Sequence, residues 1–132
     1  MILDFLNKYR YAGFIILRFG IGAMFIYHGY GMLAGGPVLW AKVGAATTYF
    51  GIKFAPVFFG FLAALAEFGG GICLITGIFF REACFFMFFT MLVASNMHLR
   101  AGDGLNAASH AIEAGILFLS LIFIGPGGKD NK

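Results

Sequence analysis

The chain has 132 residues, of which 61% are hydrophobic, 18% aromatic and 11% charged. Soluble domains carry about 25% charged residues, and a core of this size leaves too much surface in water to hide so many apolar side chains. An ordinary soluble domain, a disordered chain and a nucleic-acid binder are therefore excluded, the net charge of +3 being scattered over isolated Lys and Arg. Cys73 and Cys84 stand in no CxxC pair, which argues against a disulfide framework or a Cys-ligated zinc site. The solvent for this sequence is a bilayer.

A membrane-crossing helix takes about 20 mostly apolar residues. In chain order, spans are expected at 13–32, 56–80, 82–100 and 107–124, giving an all-α, four-helix membrane bundle in one domain over 1–132. The apolar runs are continuous, whereas barrel strands alternate. The first run is longer than a signal-peptide core and carries Arg18 and His28, so it reads as a retained span. Pro56 suits the first turn of the second, where its missing donor costs nothing. The apolar parts of the last two, Ala83–Met97 and Ser109–Ile124, are short and need extra turns at their ends. Gly125-Pro126-Gly127-Gly128 stops the fourth.

Between the first two spans, Leu33–Ala55 holds Gly35, Gly36, Pro37, Trp40, Tyr49 and Phe50. Trp and Tyr favour the headgroup zone. A short interfacial helix or loop is expected here, with Leu39, Val43, Ala46 and Phe50 toward lipid or bundle. Four spans put both termini on one side. That side carries Lys8, Arg10, Arg81, Lys129 and Lys132, against Lys42, Lys53 and Arg100 opposite. The positive-inside rule then predicts cytoplasmic termini.

Ionisable residues within spans are costly and mark functional sites by default. Counted from the side of the termini, His28, Glu67, His98, His110 and Glu113 fall roughly 18–24 Å deep at about 1.5 Å per residue. Each of the four spans thus contributes to one layer. Glu67 shares a helical face with Gly60, Ala63, Ala64, Gly70, Gly71 and Leu74, and small residues let helices approach, so Glu67 is expected to point inward. Asn106, Ser109, His110, Glu113 and Ser120 gather on one face of the fourth span and are expected to do the same. His98 shares a side with Cys84, Met87 and Met91.

Such a layer can pass protons or hold the polar head of a quinone. A metal is the weaker reading, because carboxylate-bridged bundles use paired Glu-x-x-His motifs and only one reversed pair, His110 and Glu113, is present. Bland readings stand beside these. Glu67 can be interhelical glue. His98 and His110 can sit among headgroups. Arg18 can snorkel to phosphates. Met87, Met91 and Cys84 suit plain packing. Gly69-Gly70-Gly71 follows no strand and makes no phosphate loop.

Arg18, His28-Gly29, Gly36-Pro37, Trp40, Glu67-Phe68-Gly69-Gly70, Gly77, Arg81, His98, Glu113 and Gly125-Pro126-Gly127 occur in this order. The ordered set resembles the DoxX family of small four-helix membrane proteins, over roughly Gly13 to Gly127. The resemblance implies a bacterial inner-membrane protein, a small subunit associated with quinol oxidase or thiosulfate:quinone oxidoreductase systems, or a partner in complexes that handle thiols and oxidative stress. It implies recurrent polar positions at Arg18, His28, Glu67, Arg81, His98 and Glu113. Two departures stand out: Met32 occupies a position where family members often carry Lys, and Gly128-Lys129-Asp130 replaces a usual Ser-Leu-Asp.

Three functions follow as expectations. One is a redox-complex subunit that binds quinone through the His/Glu layer. No flavin, nicotinamide, haem or iron–sulfur fingerprint is present in the sequence, so electrons would come from a partner protein. The second is a non-enzymatic structural or assembly subunit, in a larger complex or a homo-oligomer. The third is a small proton-coupled transporter, for which four spans without repeats are a poor frame.

Overall fold

The computed structural model describes residues 1–128; Lys129, Asp130 and Lys132, which entered the charge count and the comparison of the last turn, lie outside them. A 3-10 turn, Asp4–Tyr9, leads into α1 (Arg10–Ala34). Then follow α2 (Gly36–Gly44), a 3-10 turn (Ala45–Phe50), α3 (Pro56–Thr76), α4 (Phe80–Arg100) and α5 (Leu105–Ile124). No strand occurs among the described residues. The segment containing α1, and α3, α4 and α5, are long and apolar enough to cross a membrane. The chain is a multi-pass membrane helical bundle.

The ends of the helices follow from local chemistry. Pro56 opens α3. That helix stops at Thr76 rather than at 80 because Gly77 takes φ +80° and returns its N–H to the Cys73 carbonyl at 2.8 Å, a left-handed stop that other residues adopt at a cost. The tight turn brings α4 in at Phe80. Beyond its apolar run α4 gains residues at both ends, at Phe80–Arg100, and α5 gains a turn at its start, at Leu105–Ile124. Gly125 (φ +79°) closes α5.

Close backbone packing runs in the order α1, α3, α4, α5. Glycines make the closest crossings. A Cβ on Gly29 would lie 2.3 Å from the Phe68 nitrogen, and one on Gly71 would lie 2.5 Å from the Gly22 carbonyl oxygen, so α1 and α3 meet backbone to backbone. Between α4 and α5 the core is filled by Cys84, Met87, Met91, Phe118 and Leu121. The ring closes from α5 to α1 through side chains, with the rings of Phe25 and Phe118 4.9 Å apart.

The segment between the first two spans packs against α3 more closely than an interfacial loop needs to. A Cβ on Gly60 would meet the Trp40 carbonyl oxygen at 1.7 Å. The Trp40 ring lies tilted against Phe61, ring centres 5.0 Å apart, and donates its indole N–H to the Met32 carbonyl at 2.8 Å. Ala46 is buried and Leu39 and Val43 are half-buried, while Phe50 is exposed.

Candidate functional site

A groove of about 960 Å³ runs between α3 and α4. Lys42 and Thr47 lie at one end, Phe79 and Glu82 at the other, so it follows the length of the helices. Its walls are apolar, and the exposed Leu62, Leu65, Phe86 and Phe89 on its rims leave it open on one side. Its origin is local. Gly70 meets the Met87 thioether where α3 crosses α4, and the small Ala63, Ala66 and Gly69 beside it leave space rather than filling it.

Glu67 lines this groove. It is 8% exposed, and among the described residues its carboxyl makes no hydrogen bond and no ion pair. The inward face expected for it is present: Gly60, Ala64, Gly70, Gly71 and Leu74 are buried with it. From Thr76 its depth is roughly 13 Å, near the middle of a hydrocarbon layer about 30 Å thick. Its carboxyl oxygens open into the groove and are not sealed in protein, and a carboxyl without a partner in such an apolar setting is an energetic liability.

The other residues expected in the layer lie elsewhere. His98 is roughly 3 Å from the Arg100 end of its helix and pairs with Asp103 at 2.9 Å, both partly exposed, in the loop that follows. His28 and His110 face each other across α1 and α5, ring centres 6.2 Å apart, on the outside of the bundle. Glu113, one turn along from His110, is exposed on the same side. The polar stripe of α5 therefore points outward, contrary to expectation. Its small face, with Ala108, Ala111, Ala114 and Gly115, is the buried one, because small side chains let α4 approach where His and Glu would hold it off. The single layer divides into three places.

Arg18 and Arg81 serve helix ends. Arg18 is 7% exposed, and its guanidinium does not reach for phosphates. It donates from Nε to Leu74 O (2.8 Å), from Nη2 to Ile75 O (3.0 Å) and from Nη1 to Pro126 O (2.9 Å), beneath the Phe80 ring. Leu74 and Ile75 are last-turn carbonyls of α3, which lack partners within the helix. Arg81 repeats the device at α5, donating from Nε to Ile122 O at 2.9 Å. A cation at a helix C-terminus also opposes the macrodipole. Met87, Met91 and Cys84 are core packing.

A model of the DoxX family matches residues 13–99. The chain belongs to the DoxX family. Neither the curated proteins nor the solved structures gave a match. In this DoxX chain, Met32 presents an apolar group to the groove, and Lys42 is the groove's one cation among the described residues.

Sequence reasoning missed the groove itself. Thr90 lines it but gives its hydroxyl to the Phe86 carbonyl. Phe86 and Phe89 were indistinguishable from lipid-facing Phe. Asn96, whose buried Nδ2 has no partner, was signalled only as an amide inside an apolar span. Among the described residues, no three His, Cys, Asp or Glu stand close enough to hold a metal ion.

Proposed function

We propose that this DoxX protein is a subunit or partner of a membrane redox complex and that its α3–α4 groove takes up the head and tail of a quinone. One observation carries the reading: a buried carboxyl with no partner of its own, Glu67, lines an apolar groove open on one side. The donor set fits such a ligand. The groove's apolar walls suit an isoprenoid tail, and the carboxyl suits an oxygen head group, since a buried polar group in such a site has to be hydrogen-bonded.

When bound, the quinone supplies two-electron, two-proton chemistry between the complex and the bilayer. Glu67 does the local work. As a carboxylate it accepts a hydrogen bond from a hydroxyl; protonated, it donates one to a carbonyl. The apolar walls of the groove and the surrounding bilayer make a setting of low dielectric, which strengthens either bond. His28, His98, His110 and Glu113 stand apart from the groove and take no part in this step. From the excess of Lys and Arg on the side of the termini we further propose that both termini lie on the cytoplasmic side, in a bacterial inner membrane.

Trp40, the one tryptophan, sits in α2, whose neighbouring Lys42 and Val43 line the groove, and is a built-in probe. Titration of a short-tailed ubiquinone into detergent-solubilised protein should quench Trp40 saturably, and native mass spectrometry should show one quinone per chain. Glu67→Gln should weaken binding by about tenfold or more, a loss of about 1.4 kcal/mol. Absence of saturable binding by the parent chain overturns the proposal.

The assembly reading is favoured by a separate observation, the polar face left uncovered on α1 and α5.

A further inference from the structure

His28, His110 and Glu113 lie together on the outer face of α1 and α5. Among the described residues none of the three has a hydrogen bond or an ion pair. Measured from the helix ends opposite the termini, His28 and His110 lie roughly 8–9 Å in, and Glu113 roughly 12 Å. Three unpartnered ionisable groups at that depth are too costly to leave against lipid tails. Around them the same two helices expose Met24 and Tyr27 on one side and Ile116 and Leu119 on the other.

The face is complementary to itself. It carries imidazoles at one level and a carboxyl one turn away, so a copy of the same surface supplies His28 and Glu113 each with what its own chain withholds. A two-fold axis along the membrane normal keeps every residue at its own depth, as two chains of one orientation require. Side chains lean toward the N-terminus of their helix. α5 runs toward the side of the termini, so Glu113 leans back toward the level of His110. α1 runs the other way, so His28 leans down toward the level of Glu113. These leanings close the one-turn offset between Glu113 and His28, while His110 leans with Glu113 and stays one turn away.

We propose that a second copy of this chain covers the α1–α5 face, with Glu113 of each protomer meeting His28 of the other. The interface lies apart from the α3–α4 groove and does not depend on what that groove binds. A homodimer of this kind leaves both grooves facing outward to the bilayer.

The test uses the full chain in vesicles of phosphatidylethanolamine and phosphatidylglycerol. Ile116→Cys, on the exposed α5 flank of the proposed interface, should form an intermolecular disulfide on mild oxidation. Phe86→Cys, on the groove rim, should not. The parent chain, with Cys84 buried and Cys73 half-buried, is the blank. Native mass spectrometry should show a dimer, and Glu113→Gln should lower its association constant by about tenfold or more, or about 1.4 kcal/mol. A monomer at every protein-to-lipid ratio overturns the proposal, as does cross-linking at position 86 instead of 116, or a different protein found covering the face. A dimer cross-linked at position 116 but untouched by Glu113→Gln overturns the pairing of Glu113 with His28. Because quinone titration is a separate readout, failure here and failure of the groove reading are told apart.

Discussion

The guanidinium of Arg18 occupies the space that a side chain at Gly77 would need: a Cβ there would lie 2.7 Å from Nη2. The two residues form one device. Gly77 turns the chain out of α3 at φ +80°, and the absence of its side chain admits the cation to the carbonyls of Leu74 and Ile75. Gly125 and Arg81 repeat the arrangement at α5, with Nη2 2.6 Å from the missing Cβ.

Arg18→Lys keeps the charge and loses the fork. A single ammonium cannot reach carbonyls that Nε, Nη1 and Nη2 now bond separately. Hydrogen bonds to charged groups contribute about 1.5–3 kcal/mol each, so the variant should lose at least about 2 kcal/mol. Thermal unfolding in detergent measures it. Gly77→Ala should fall by a similar amount, since it combines positive-φ strain with displacement of the same guanidinium.

Glycines should divide by what their missing side chains would meet. Gly29→Ala drives a methyl into the Phe68 backbone, where the nearest atom is 2.3 Å away, and overpacking of this kind costs about 1–3 kcal/mol. Gly13→Ala meets nothing within 4 Å and should be neutral or stabilising by up to about 1 kcal/mol through helix propensity. Equal effects in unfolding scans would contradict the backbone contact between α1 and α3.

Glu67→Leu should raise thermal stability while abolishing quinone binding. The parent carboxyl is buried without a partner, and removing such a group recovers about 1–3 kcal/mol. A fall in stability would reveal a structural bond to Glu67 and favour the glue reading.

Ala63→Phe fills the groove from its α3 wall and leaves Glu67 in place. Quinone affinity should drop by about tenfold with the fold retained, as read by Trp40 quenching and circular dichroism.

Asp103→Asn removes the partner of His98. Exposed pairs are worth about 0–1 kcal/mol, so unfolding should shift little, and quinone binding should stay unchanged because the pair, at the end of α4 and in the loop after it, does not line the groove.

The bilayer and the helical bundle were legible in the sequence because hydropathy adds along the chain, independent of neighbours. So was the inward face of Glu67, where Gly60, Ala64, Gly70 and Gly71 mark a surface that only another helix can cover closely. A shared depth for five ionisable groups was expected from their spacing, but the helix ends set His98 roughly 3 Å and Glu113 roughly 12 Å from the side opposite the termini, and depth is in any case one coordinate. The azimuth of each group depends on which side of its helix packs tighter, and α5 buried its Ala and Gly face in preference to its polar one. Arg18 was open to two readings until the ends of α3 and α5 came within reach of one guanidinium, a contact between residues 56 and 108 positions apart. The groove had no signature at all, being an absence of side chains between α3 and α4. The sequence by itself determined the solvent, the spans and the small-residue surfaces, because these are properties of single residues and of helical spacing. Tertiary structure alone decided which carboxyl faces a groove, which imidazoles face outward and which cations seal helix ends, because each of these is set by the shape of a neighbouring helix.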